Sequence, residues 1–480
     1  MTRLVKKFID FNSTLQLING FFCILSIYLF GLKGYNEYIN IFSIALALIL
    51  GLVNIGMLYY EKKRRNPFIV IIIFISTIFY LGRVVTLVAY PLSVIFERDS
   101  VTVKDVNYAL IFIILSNISM FIGFYLRKKN KKKSINKKKI SEYSNLKTRN
   151  VIGIPLILIF IMWIQSFGIA NGGMASFLIE IFFHQAVILL FSFIYIVYYF
   201  EDIPSRIRLQ ILFIIFSFVF FVTIGGSRGA ILGILIIMLV SILVVKQKVL
   251  LSKKIIMLFL VLIPITVILY VIATFNRGLE VKEANLFTIL NLMDEKNFIN
   301  ADTINFFLGR IFERIGFLDF STCLIAKREI FSEVINPIYY LKSIVDHILT
   351  PGFDVFNTPR ASHSLGHIAI GQEIPTKLTL AESYQSDQMG IYGEYYVMFR
   401  GYPALIIFFL MAYIFQWIYD SFNRENQLLS FLYKGLFLYL FYGYVNSFGS
   451  DWFLFEVVGT IFTGLVFNKY YVESKTLKVI

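Results

Sequence analysis

The chain has 480 residues, of which 58% are hydrophobic and 16% charged, where a soluble globular protein carries about 25% charged residues. That is too little charge to clothe a soluble protein of this length, so a water-soluble multidomain architecture is excluded and the solvent is lipid. The 45 Lys and Arg against 30 Asp and Glu give +15, but no nucleic-acid partner follows, because the cations are not gathered on one polar face. Eleven of them fall between Arg127 and Arg149, in a polar gap between apolar stretches, and most others flank apolar stretches elsewhere. That is the positive-inside pattern of a polytopic membrane protein.

Arg3, Lys6 and Lys7 precede the first apolar stretch as in a signal peptide, but no small-residue cleavage site follows, so the stretch reads as a retained span. Cys23 within it and Cys323 far downstream predict neither a mutual disulfide nor a thiol-bound metal. A helix crossing about 30 Å of hydrocarbon needs about 20 apolar residues. Twelve segments qualify, at approximately 14–32, 40–60, 67–94, 107–126, 151–170, 177–199, 208–225, 229–245, 255–275, 403–419, 428–447 and 452–468. A cytoplasmic N-terminus puts Lys62-Lys63-Arg64-Arg65, the Arg127–Arg149 run, Lys246, Lys248, Lys253, Lys254 and the C-terminal Lys469, Lys475 and Lys478 all inside, with both termini cytoplasmic.

The expected fold is therefore an all-α polytopic membrane protein of about twelve transmembrane helices. Helices 1–9 occupy residues 1–275, a large and mostly helical extracytoplasmic loop occupies 276–402, and helices 10–12 occupy 403–480. The loop differs from the rest in charge: its eleven basic and fifteen acidic residues give −4, against +19 elsewhere, and it holds His347, His363 and His367 of the four histidines. A loop of that length is more often functional than a passive connector.

Charged residues inside spans are functional hypotheses by default. Arg83 lies about 24 Å into the third span at 1.5 Å per residue. Glu180 and His184 share a face at i,i+4 spacing near the outer end of the sixth span, and Glu456 falls one turn into the twelfth. Two readings stand for Arg83 and Glu456: structural ion pairing between helices, or a polar cavity opening outward. Lys434, near an inner end, has a stem long enough to snorkel.

The turn Gly225-Gly226-Ser227-Arg228-Gly229 combines close backbone approach, the N–H groups of a helix start and a guanidinium fork. These are the parts of a phosphate or diphosphate site, and equally of a tight hairpin whose arginine meets lipid headgroups. Residues 308–319 read as an amphipathic helix with Arg310 and Arg314 one turn apart, spaced to straddle a diphosphate or to snorkel at an interface. Arg277 is a weaker third candidate. His363 and His367 are spaced for a metal, but Gly366 and Pro359 disfavour a regular helix and no third ligand is placed, so none is expected. A general base drawn from His363 or Glu394 fits better. Glu394 is placed at the membrane surface just before span ten, where it also fits a charge stabilising the next helix dipole.

In its order of features the chain resembles the oligosaccharide repeat-unit polymerases of bacterial surface polysaccharides, the O-antigen (Wzy-type) family. The span layout carries the resemblance, together with the Gly225–Gly229 turn, the Arg310/Arg314 segment, and Gly390-Ile-Tyr-Gly-Glu394 leading to Phe399-Arg400-Gly401. The resemblance implies a membrane-embedded, GT-C-like glycosyltransferase of the bacterial cytoplasmic membrane, working without a cofactor on undecaprenyl-diphosphate-linked oligosaccharides at the outer face. It also implies chain-length regulator and flippase proteins as partners. A hydroxyl of the acceptor would attack the anomeric carbon of the donor and undecaprenyl diphosphate would leave, with Arg228, Arg310 and Arg314, and Arg277 behind them, on the diphosphate. His363 or Glu394 would serve as base, and Tyr384, Tyr392, Tyr395 and Tyr396 would line a sugar groove. The rivals are an O-antigen ligase-like enzyme with another acceptor, a polyprenyl-phosphate-sugar transferase, disfavoured by a first outer loop with Glu37 alone, and a lipid-linked oligosaccharide flippase, disfavoured by the lack of visible repeats.

Replacing Arg228 or Arg314 with Lys keeps the charge and removes the planar fork. Polymer in a complemented deletion strain is then expected to fall about tenfold, the equivalent of roughly 1.4 kcal/mol. Normal polymer from both variants would exclude diphosphate clamping.

Overall fold

A computed structural model describes residues 9–64, 66–90, 101–128, 185–200, 202–204, 206, 229–246, 250–251, 316–349, 355–359, 390–423, 426–446 and 450–473. Among these the fold is all-helical apart from a two-residue antiparallel ladder, Ile9–Asp10 with Leu250–Leu251. The first half contributes α1 (Phe11–Lys33), α2 (Ile41–Arg64), α3 (Pro67–Ile75), a π-helical turn (Ser76–Leu81), α4 (Gly82–Ala89), α5 (Val103–Lys128), α6 (Gln185–Tyr198) and α7 (Gly229–Lys246). The second contributes α8 (Phe317–Ala326), α9 (Arg328–Phe331), α10 (Pro337–Ile344), a second π-helical turn (Val345–Leu349), α11 (Gly390–Met398), α12 (Ala404–Ser421), α13 (Gln427–Val445) and α14 (Ser450–Glu473).

Among the described residues, six stretches are long and apolar enough to cross a membrane: Phe11–Lys33, Ile41–Glu61, Pro67–Ala89, Val103–Arg127, Ala404–Ser421 and Gln427–Val445. They coincide with the predicted spans at 14–32, 40–60, 67–94, 107–126, 403–419 and 428–447. The predicted spans at 177–199, 229–245 and 452–468 are helical where described, in α6, α7 and α14. Those at 151–170, 208–225 and 255–275 lie outside the described residues. Leu17, Phe21 and Ile24 of α1 and Ile406, Leu410 and Trp417 of α12 face outward, as suits helices whose surroundings are a bilayer.

Side-chain amides set the helix starts. Asn66 accepts from the Phe68 N–H with Pro67 in the first helical position, Asn336 accepts from Tyr339 N–H ahead of α10, and Asn426 from Leu429 N–H ahead of α13. The short 34–40 connection turns the chain back from α1 into α2. Asn36 then donates to the Leu87 carbonyl, and Lys33 to the Ala89 carbonyl, so the far ends of α1 and α4 meet. Ser43 at the start of α2 donates to Asn107 at the start of α5 (2.7 Å). α1 and α3–α4 therefore run one way and α2 and α5 the other.

The π-helical turn interrupts the third span at its middle. The Thr77 hydroxyl turns back onto the Ile73 carbonyl (2.6 Å), a competition with the helix ladder that bends helices, and the Gly82 N–H reaches the Thr77 carbonyl five residues back. The widened turn is the centre of a buried polar layer. Asn54 of α2 and Asn117 of α5 both donate to the Ser76 hydroxyl (3.1 and 3.0 Å), Asn54 also to Asn19 of α1 (3.1 Å), and Asn19 to Thr77 (2.8 Å). Tyr392 of α11 closes the layer by donating to Asn117 (2.6 Å). Ser76 lies about 14 Å along its helix from Pro67, so these neutral groups satisfy one another at the depth where water is scarcest.

Around Phe68 a cluster of rings ties α3 to α5, α12 and α13: Phe124 stacks on it at 5.0 Å, and Phe441 and Tyr419 meet it edge-on at 4.8 and 5.1 Å. α5 and α12 cross so closely that a Cβ on Gly123 would stand 2.4 Å from the Phe409 carbonyl oxygen. Gly123→Ala is accordingly expected to destabilise the protein by about 1–3 kcal/mol, through overpacking against backbone that cannot step aside. Thermal unfolding in detergent reads this, and an unchanged midpoint would refute the close crossing.

Candidate functional site

The segment predicted as an extracytoplasmic loop contributes helices that are packed onto the spans. α8 begins at Phe317, with Gly316 non-helical at its N-cap; residues 308–315 of the predicted 308–319 helix lie outside the described residues. Phe317 to Ile325 of α8 are all buried among α4, the first π turn, α5 and α11. Phe317 packs on Phe79 at 4.6 Å between ring centroids.

Asp319 stands in the first turn of α8 and meets Arg83 of α4. Arg83 Nε donates to Asp319 Oδ1 (2.9 Å) and Nη2 to Oδ2 (2.6 Å), a two-point pair, while Nη1 reaches the Thr86 hydroxyl (3.2 Å). The side chains of both partners are at most 1% exposed. Of the two readings of Arg83 from sequence, ion pairing between helices is the arrangement found. Its partner comes from the late segment, and a carboxylate at a helix N-terminus also suits the helix dipole. Glu456, matched to Arg83 by depth, belongs to α14, and its side chain lies outside the described residues.

Glu394 is the second buried carboxylate. α11 crosses α8 where a Cβ on Gly393 would stand 2.9 Å from Ser321 Cα and 2.7 Å from Leu324 Cδ1, so only glycine lets the helices approach. The next residue, Glu394, is drawn into the interior with 0% of its surface exposed. Tyr340 of α10 donates its hydroxyl to Glu394 Oε1 at 2.7 Å. The carboxylate is therefore not at an open membrane surface. Nor does it serve the following helix, because α12 starts at Ala404 beyond a turn in which Arg400 (φ 54°) and Gly401 (φ 105°) reverse the chain. Arg400 is exposed in that turn. Tyr392, expected in a sugar groove, is instead fully buried, edge-on to Tyr80 at 5.2 Å and bonded to Asn117. Tyr395 and Tyr396 are half-buried against Phe408 and Phe112.

A third carboxylate, Asp346, is 1% exposed and accepts from the N–H groups of Phe356 and Thr358 (2.8 Å each), while Tyr339 donates to the Pro359 carbonyl (2.9 Å). These bonds fix the chain as it enters the Arg360–His367 stretch. Lys434 donates to Asn423 and lies 5.3 Å over the Tyr419 ring, so its ammonium is held towards the α12–α13 turn. Cys23 and Cys323 are free thiols. Among the described residues no three His, Cys, Asp or Glu are gathered to hold a metal ion.

Arg228, Arg277, Arg310, Arg314, His363, His367, Tyr384, Glu180 and His184 lie outside the described residues. Sequence reasoning missed Asp319 and Tyr340. The signal for Asp319 was present, as one acidic residue within the apolar decamer Phe317–Ala326. Tyr340 carries no local signal, since its role depends on a partner 54 positions away.

The fold and site thus define an all-helical protein with apolar helices suited to a membrane and buried carboxylates inside the helix assembly. Comparison with protein-family models, with curated proteins and with solved structures finds no match to this chain.

Arg83→Leu or Asp319→Leu alone strands a buried charge and is expected to cost about 3–5 kcal/mol, whereas the double variant recovers most of the loss. Thermal unfolding of all three in detergent tests this; losses that simply add would show that the two charges do not meet.

Proposed function

We propose that this protein polymerises undecaprenyl-diphosphate-linked oligosaccharide repeat units into a bacterial surface polysaccharide, by glycosyl transfer at the outer face of the cytoplasmic membrane. The observation that carries the reading is the way the late segment is built. Residues that resemble the polymerase motif, Gly390-Ile-Tyr-Gly-Glu394, form a buried helix whose glycine admits α8 and whose glutamate accepts a hydrogen bond in the interior. In this reading Arg228, Arg310 and Arg314 neutralise the departing diphosphate, a role guanidinium groups fill without a metal. The acceptor hydroxyl forms a bond to the anomeric carbon as the carbon–oxygen bond to diphosphate breaks, and a base takes the hydroxyl proton.

Deleting the gene in its host is expected to leave the lipid carrier loaded with single repeat units exposed on the outer face, read by mass spectrometry of extracted lipids with and without enzymatic digestion from outside. An unchanged chain-length ladder overturns the reading. Full-length polymer held on the lipid would identify a ligase, and single units confined to the inner leaflet a flippase.

A further inference from the structure

Helix α10 and the π-helical turn that continues it are built the wrong way round for a segment in water. Tyr340, Ser343 and Asp346 turn inward and are at most 6% exposed, while Ile338, Leu341 and Leu349 turn outward and are 63–69% exposed. An amphipathic helix at a protein–water boundary does the reverse. The outward strip continues where the chain returns to Asp346: Val355 and Phe356 are 57% and 50% exposed, and Lys342 lies 5.9 Å over the Phe356 ring. Single exposed apolar side chains are ordinary, but five large ones gathered on one element and the turn bonded to it mark an interaction surface.

Two observations indicate what covers the strip. α10 packs against α14, the helix of the predicted 452–468 span, which itself turns Ile461, Leu465 and Val466 outward. The strip therefore adjoins a helix suited to hydrocarbon. The second observation is how the irregular backbone beside the strip is satisfied. Asp346 accepts from the N–H groups of Phe356 and Thr358, Tyr339 donates to the Pro359 carbonyl, and Asn336 caps the start of α10. Water would answer such groups and hydrocarbon would not, so a chain lying against lipid has to answer them from within.

We propose that this strip lies against the hydrocarbon of the bilayer, with α10 and its π turn entering one leaflet without crossing it. Eight residues of α10 and five of the π turn reach about 20 Å at 1.5 Å per residue, short of the about 30 Å of hydrocarbon. Ile338, Leu341, Leu349, Val355 and Phe356 sit among acyl chains. Lys342, exposed beside them, extends its stem along Phe356 and carries its ammonium to the lipid phosphates. Residues 276–402 read from sequence as a loop outside the membrane, and in this arrangement part of that loop is a membrane-embedded anchor. The proposal is independent of the polymerase reading, because it concerns only what the strip touches.

The test places a photoreactive side chain in the full-length protein, as Leu341→benzoylphenylalanine or Leu349→benzoylphenylalanine, with the same substitution at the outward Leu410 of α12 as the lipid-facing reference. The protein is illuminated in vesicles of phosphatidylethanolamine and phosphatidylglycerol and in the host's own membranes. Both variants are expected to yield phospholipid adducts, read by mass spectrometry, within about threefold of the reference yield. A benzophenone facing water finds no C–H bond to attack, so a yield below about a tenth of the reference at both positions overturns the proposal. A product of twice the chain mass overturns it in favour of a second copy, and a product with another protein in the host membranes in favour of a protein partner. The two positions lie on separate turns, so the readout survives if one variant fails to fold, which its unfolding midpoint in detergent reveals.

Discussion

A guanidinium in a helix suited to hydrocarbon has no water to answer it, and much of the described arrangement follows from how Arg83 is answered. Its fork meets Asp319 at two points, across 236 positions of chain, with both side chains out of solvent. Leaving one charge alone would cost several kcal/mol, so α4 and α8 have to be adjacent and in one register. α8 does this as a short helix starting at Phe317, whose first turn carries Asp319 to Arg83. With α8 inside, Gly393 is what lets α11 lie across it, and that crossing takes Glu394 into the interior.

Beside this charged contact the helix assembly contains a neutral one of a different kind. Asn19, Asn54, Ser76, Thr77, Asn117 and Tyr392 come from α1, α2, the π turn, α5 and α11 and pair among themselves. Each such bond between membrane helices contributes modestly, about 0.6 kcal/mol on average. Their effect is on register: sliding any one helix by a turn would strand several amides at once. The ion pair therefore selects which helices meet, and the neutral layer fixes their relative heights.

Six of the twelve predicted spans coincide with long apolar helices among the described residues, because apolar runs of about 20 residues need no tertiary information. The Asn-Pro starts of α3 and α10 carry signals as local, a side-chain acceptor and a fixed φ, which the sequence reading missed. The π turn was not legible, since Ser76 and Thr77 are ordinary within an apolar helix until Asn54 and Asn117 are known to face them. The partner of Arg83 was not legible either: matching residues by depth within spans could only offer Glu456, because residues 276–402 read as a region outside the membrane. The same assumption put Glu394 at the surface. Polar composition distinguishes loop from span but does not tell an exposed loop from one whose short apolar helices, such as Phe317–Ala326, return to the interior.

Asp319 and Glu394, both buried, differ in what their hydrogen-bond donors can do. A guanidinium remains protonated at any ordinary pH, so Asp319, gripped by two of its N–H groups, is fixed as the anionic half of a strut. A phenol hydroxyl is both donor and acceptor, and it can hand its proton on while taking another. Glu394 is bonded by such a group, on a helix that the Gly393 crossing holds in place. Exchanging the two partners would change both contacts: a phenol would leave the Asp319 charge uncompensated, and a guanidinium would place a permanent positive charge beside Glu394. The late segment thus carries carboxylates into the interior that are held in different ways, Asp319 by a permanent charge and Glu394 by a neutral phenol hydroxyl.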